Sequence, residues 1–207
     1  MIVKVCGMRD ADNIRAVESL GVDWMGFIFY PGSSRNVDSI PDYLPIDAKR
    51  VGVFVNEEPD KVGRRVNEFG LDIVQLHGSE DACYIGRIRA LCPGIIVVKA
   101  LSIASAKDLE QASAYFGMVE YLLFDTKAKL AGGNGIQFDW SILNSYRGTV
   151  PFILSGGIGP EDAARIKAFN HPMMAGIDLN SRFETSPAVK DIESIKTFLS
   201  QLKIQKS

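Results

Sequence analysis

Cysteine is scarce in this sequence and histidine scarcer still: three cysteines (Cys6, Cys83, Cys92) and two histidines (His77, His171) in 207 residues. The cysteines are odd in number, widely spaced and form no CxxC pair, which argues against a structural zinc site. Unpaired thiols fit a reducing cytoplasm, the expected location. Charge of one sign is also lacking. The formal net charge is −2, so no global basic field recruits nucleic acid or an anionic membrane. No apolar run approaches the ~20 residues of a membrane helix; even IIVVKALSIA is interrupted by Lys99. The N-terminus has no basic start, long apolar stretch or small-residue cleavage site, so no signal peptide is expected. Nor does any Pro/Gly/Ser linker or low-complexity tract divide the chain, which points to one domain over residues 1–207 with a large core.

What is present is a repeated alternation. Eight short apolar, β-branched runs occur: Ile2–Cys6, Trp24–Phe29, Val51–Val55, Asp72–Leu76, Ile95–Leu101, Tyr121–Asp125, Pro151–Ser155 and Met173–Leu179. Most are continuously apolar, as in strands buried on both faces of a parallel sheet. Helix-like stretches separate them: DADNIRAVESLG, EEPDKVGRRVNEFG, SEDACYIGRIRALCPG with Ser79 as its cap, SASAKDLEQASAYFG, DWSILNSY, GPEDAARIKAF and PAVKDIESIKTFLSQL. The proline-broken VDSIPDYLPID gives at most a short helix. This order predicts an α/β fold, a (β/α)8 TIM barrel. The competing open doubly wound sheet lacks its glycine fingerprint after the first strand, where CGMRDA stands.

Barrel active sites gather at the C-terminal ends of strands. Those ends carry Cys6, Arg35 in the loop after strand 2, Asn56, Gln75 and His77, Lys99, Asp125, Ser155–Gly156–Gly157, and Asp178, Asn180 and Ser181. Glycines in AGGNG, SGGIGPED and near DLNS let backbone N–H groups approach an anion, and phosphate sites after strands 7 and 8 recur in barrels. Asp125 ends the apolar run YLLFD, where a carboxylate must be paired or protonated. It is a candidate general acid, or a structural partner of Lys127 or Lys99. Cys6 is either a small core residue or a thiolate nucleophile or base tuned by its surroundings, with Lys4 on the same side of the strand. Arg35 suits a bidentate grip on a carboxylate, or a solvated surface. His77 is a ligand contact or caps a turn. Cys83 and Cys92, in a helical pattern and at its end, read as structural.

The motifs KVCGMRD, GFIFYPGSSRNV, VGVFVN, VQLHGSE, LLFD with GGNGIQFDW, LSGGIGPEDA, and GIDLNSRFE with PAVKD run in order along nearly the whole chain. Together they resemble the phosphoribosylanthranilate isomerase family of tryptophan biosynthesis. The resemblance implies an Amadori rearrangement of a small phosphosugar, with Cys6 as general base, Asp125 as general acid, and no metal or redox cofactor. It also implies that Arg35 holds the anthranilate carboxylate. Gly133, Gly156–Gly157 and Asn180–Ser181 would cradle the phosphate, and His77 and Asp178 would be further substrate contacts. Similar enzymes are often monomers, a dimer being the alternative. Two departures stand out: Arg182 replaces a usually small residue, and Asn134 and Ile136 replace the commoner Thr and Lys. A related histidine-pathway isomerase would carry aspartate at Cys6 and bind a second phosphate. A catalytically silent phosphate-binding barrel would not need both Cys6 and Asp125.

Overall fold

Val, Ile and Phe dominate the apolar runs, and β-branched and aromatic side chains suit a pleated surface packed on both faces. In the computed structural model, which describes residues 1–126 and 139–202, these runs form eight parallel strands. They are β1 (Ile2–Cys6), β2 (Trp24–Ile28), β3 (Lys49–Phe54), β4 (Ile73–Leu76), β5 (Ile96–Ile103), β6 (Tyr121–Thr126), β7 (Phe152–Ser155) and β8 (Met174–Leu179). Each pairs with the next, and β8 returns to β1 with Ile2 opposite Gly176 and Lys4 opposite Asp178. That closure selects the barrel over the open sheet. The residues named above at 127, 133, 134 and 136 lie outside the described residues.

Two apolar layers result. Trp24, Val51, Val53, Ile73, Val98, Ala100, Leu123 and Ile153 fill the barrel interior together with Cys6. Alternate residues of the same strands, such as Val5, Phe27, Val74, Val97 and Phe124, pack outward in a larger cluster shared with the helices. Strands buried on both faces explain why the runs are continuously apolar.

The helices follow local signals. In α1 (Ala11–Glu18) the Asp10 carboxylate accepts from the Asn13 N–H at 2.8 Å. Helix α2 (Pro59–Phe69) has proline in its first turn and stops at Gly70. Helix α3 (Ala82–Leu91) is capped by Asp81, whose side chain accepts from the Tyr84 N–H, and not by Ser79. Helices α4 (Ala163–Ala168) and α5 (Ile192–Leu202) complete the set. The stretches Ala106–Tyr115 and Trp140–Ser145, expected as ordinary helices, are wound as 3₁₀. No helix follows β2. Its long connection is pinned instead by Glu18, whose carboxylate accepts from Tyr43 Oη and from the N–H groups of Ile46, Asp47 and Ala48 at 2.5–3.3 Å. An unexpected hairpin of β9 (Glu184–Ser186) and β10 (Val189–Lys190) stands between β8 and α5. No helix among the described residues is long and apolar enough to cross a membrane.

Lys99 does not face Asp125. It points to the outer side of β5, buried, with Nζ 3.2 Å from Glu80 Oε2 and 2.7 Å from the Gly78 carbonyl. Burial pushes its pKa down, against the pull of Glu80. Glu80 Oε1 also accepts from the N–H groups of Asn56 and Gly78 at 2.8 and 3.1 Å. The pair therefore stitches the exits of β3 and β4 together beneath His77. Removing one partner of a buried ion pair costs about 3–5 kcal/mol, whereas replacing both with apolar groups is often neutral. Lys99→Met should lower the melting temperature by roughly 10 °C, and adding Glu80→Met should restore part of it. Calorimetric melting checks this; an unchanged single variant would show that the pair contributes nothing.

Candidate active site

The β-strand period places Lys4 and Cys6 on one side of β1, facing the barrel axis. Room for the thiol comes from across the β1–β2 pair. Cys6 stands opposite Gly26, and a Cβ at Gly26 would fall 2.6 Å from Cys6 Sγ. At the C-terminal mouth a cavity of about 220 Å³ opens above the thiol. Its lining brings together Cys6 (β1), Gln75 and His77 (β4 and its exit), Asp125 (β6), Ser155, Gly156 and Gly157 (β7), and Asp178, Asn180 and Ser181 (β8). Strands β1 and β6 are three strands apart round the closed barrel, so Cys6 and Asp125 enter the cavity from different sides.

Beneath the cavity lies a buried polar network. Lys4 Nζ donates to Asp178 Oδ1 at 2.8 Å, and Ser155 Oγ donates to Asp178 Oδ2 at 3.1 Å. Asp178 lines the cavity, but both its oxygens are already engaged, one by Lys4 and one by Ser155. Burial pushes the Lys4 ammonium down, but Asp178 and Cys6 more than offset this and hold its pKa above the ordinary value. Burial pushes the Cys6 thiol up; the charge and hydrogen bond of Lys4 pull it back, Asp178 adds to the rise, and Lys190 opposes it. On the far wall His77 Nε2 is 3.6 Å from Asp125 Oδ2, and His77 Nδ1 is 3.5 Å from Gln75 Nε2. Gln75 is buried, and its Oε1 has no hydrogen-bond partner among the described residues.

Gly156 and Gly157 adopt φ values of +93° and +67°. This left-handed path favours glycine, and glycines on such a path can present backbone N–H groups to an anion as a nest. Arg182 bridges the loops after β7 and β8: Nη1 donates to the Gly157 carbonyl at 3.1 Å and Nη2 pairs with Glu161 at 2.5 Å. It thus neither lines the cavity nor points freely outward.

Arg35 is the expected site residue that the cavity lining does not include. It flanks the mouth, since a Cβ at Gly7 would meet Arg35 Cδ at 2.7 Å, and the Cys6 charge acts on it. Its guanidinium is held by Glu184 of β9. Nε donates to Oε1 and Oε2 at 2.9 and 3.0 Å, and Nη2 donates to Oε2 at 2.6 Å. Lys190, buried, joins the same carboxylate at 2.5 Å and Asn180 Oδ1 at 2.9 Å. Glu184 and Lys190 received no role from the sequence reading. The positions of Glu184 and Lys190 beyond the last barrel strand, in charged motifs, were the signal available. Cys92 is buried as expected of a structural residue, whereas Cys83 is exposed. Among the described residues no group of three His, Cys, Asp or Glu side chains is placed to hold a metal.

A closed (β/α)8 barrel whose strand ends bring Cys6, Asp125 and the Gly156–Gly157 turn into one small cavity is the architecture of a barrel enzyme. Comparison with known proteins narrows this. The family model described as N-(5'phosphoribosyl)anthranilate (PRA) isomerase matches residues 3–201. The isomerase of Phocaeicola vulgatus bearing that name is 49% identical over 203 residues, spanning 98% of both chains. The chain belongs to the N-(5'-phosphoribosyl)anthranilate isomerase family, enzymes of tryptophan biosynthesis. Among solved structures, the phosphoribosyl anthranilate isomerase of Thermotoga maritima superposes with a TM-score of 0.79 at 33% identity, covering 98% of each chain. A further structure, of a phosphoribosyl anthranilate isomerase in complex with reduced 1-(o-carboxyphenylamino)-1-deoxyribulose 5-phosphate, gives 0.77 at 32% identity with the same coverage.

Proposed function

We propose that this cavity converts N-(5'-phosphoribosyl)anthranilate to 1-(2-carboxyphenylamino)-1-deoxy-D-ribulose 5-phosphate, with Asp125 as general acid and Cys6 as general base. The observation that carries the assignment is the placement of these two groups on different sides of one cavity whose rim holds the Gly156–Gly157 nest. Asp125 gives its proton to the furanose ring oxygen as the C1–O bond breaks, leaving an iminium at C1. The Cys6 thiolate takes the proton from C2, and the electron pair of that bond flows to the iminium to give an enolamine. Tautomerisation, with loss of the enol proton and protonation of C1, yields the ketone. The step needs one acid and one base on two sides of the sugar.

The remaining polar groups fit the same ligand. The N–H groups of Gly156 and Gly157, with Asn180 and Ser181, take the phosphate. His77 adjoins Asp125 and reaches the sugar. The unpartnered Gln75 Oε1 suits a sugar hydroxyl, since a buried acceptor left without a donor is costly. Arg35 takes the anthranilate carboxylate beside Cys6.

The test is turnover, followed as loss of anthranilate fluorescence from substrate generated in the cuvette. Folded wild type should far outrun the spontaneous rate; failure to do so would sink the reading. Arg35→Ala should raise KM about 10- to 100-fold through loss of a charge-assisted contact while changing kcat less. An unchanged KM would remove Arg35 from substrate recognition.

A further inference from the structure

The Arg35 guanidinium has two edges that can each take a carboxylate in parallel hydrogen bonds: Nε with Nη2, and Nη1 with Nη2. Glu184 occupies the first edge. Nη1 has no hydrogen-bond partner among the described residues. Glu184 is itself fixed more firmly than the arginine it holds. Its side chain is 4% exposed against 21% for Arg35, and its Oε1 also accepts from Lys190 Nζ at 2.5 Å and the Ala188 N–H at 3.2 Å. Ala188 reaches that position with φ +68°, a strained backbone for a residue with a side chain. Lys190 is anchored in turn: Asn13 Oδ1 accepts from its N–H at 2.8 Å, and Asn13 Nδ2 donates to its carbonyl at 2.9 Å. The hairpin therefore delivers one carboxylate to two cations. Counted formally, as one arginine, one lysine and one glutamate, the cluster carries +1 beside Cys6, at the rim next to Asn180.

We infer that Glu184 is a positioning residue for substrate recognition: it clamps Arg35 by the Nε–Nη2 edge so that the Nη1–Nη2 edge is preset for the ring carboxylate of the substrate. This rests on the reading that Arg35 is the carboxylate contact. A lone arginine would sample many rotamers at the mouth and lose that freedom on binding. Held by a buried carboxylate, it has already lost it, so less is lost when the ligand arrives. Lys190 prevents the clamp from neutralising the site, since Arg35 and Glu184 alone would present no net charge to an anion.

The test compares two ligands: reduced 1-(o-carboxyphenylamino)-1-deoxyribulose 5-phosphate and the same molecule without its ring carboxylate. Their dissociation constants are measured by calorimetry. Wild type should prefer the carboxylated ligand about 10- to 100-fold. Glu184→Gln should cut that preference at least fivefold while the Kd of the carboxylate-free ligand moves less than twofold. General loosening of the fold would weaken both ligands alike and leave the ratio intact. If Glu184→Gln does not fold, Glu184→Asp, which retracts the carboxylate by one methylene and keeps its charge, should show the same loss of preference. A ratio that is unchanged in the folded variant, or that rises because Glu184 competes with the ligand for Arg35, would overturn the inference. Arg35→Ala separates the two readings. If it abolishes the preference and the Glu184 variants do not, only the clamp fails; if it keeps the preference, the Arg35 assignment fails and the clamp with it.

Discussion

Cys6→Ala should lower kcat by about 10²–10⁴-fold, the usual contribution of a positioned general base, while product-analogue affinity stays within a few-fold. The second half follows from geometry: the Gly156–Gly157 nest and the Arg35–Glu184 pair are built from other strands and loops. As the proposed base, the thiol must lose a proton to act, yet burial holds its pKa above the ordinary cysteine value. The active form is the deprotonated one, so kcat/KM should climb as pH rises through the thiol's ionisation. Lys4 is the strongest influence pulling that ionisation back toward neutrality. Lys4→Met should therefore move the alkaline limb to still higher pH, with Asp178→Asn added to avoid a buried unpaired carboxylate. Wild-type turnover in Cys6→Ala would remove the thiol from the mechanism. A limb that ignores Lys4 would mean that the pH profile reports another group.

Asp125→Asn is expected to cost a similar factor, about 10²–10⁴ in kcat, for the opposite reason. An amide preserves the shape and can still meet His77, but it has no acidic proton for the ring oxygen. The block falls before C2 deprotonation, so the two variants differ in a measurable way. With substrate deuterated at C2, a base-deficient Cys6 variant should show a full isotope effect on kcat. Asp125→Asn should show little, because ring opening has become limiting. Equal isotope effects in both would argue against separate acid and base roles.

The barrel was legible because strands buried on both faces leave continuous apolar runs, a pattern that survives even where β3 and β5 extend two residues beyond the runs that signal them. The 3₁₀ segments were not, since Ala106–Tyr115 has helical spacing in its apolar residues and differs only in how its backbone bonds close. The choice between Ser79 and Asp81 as cap turned on tertiary demand: the Ser79 N–H and Oγ both donate to Asn56 Oδ1, so Ser79 belongs to the loop exit. In the candidate site, the convergence of Cys6, His77, Asp125 and the β7–β8 loop residues on one cavity could be read from strand ends alone. Glu184 and Lys190 could not. The partner that gives Glu184 its meaning lies 149 positions away, and a three-residue strand paired with a two-residue one carries no periodicity.

The closure of β8 on β1 also has a consequence for synthesis. Cys6 is made well before the charge network beneath it is complete, since Asp178 joins Lys4 from 174 positions further on. At ribosomal rates of roughly 5–20 residues per second, that interval is about 9–35 s. Through it the nascent chain carries a thiol with no barrel around it and an apolar β1 whose final neighbour does not yet exist, and every newly made molecule passes through that window once.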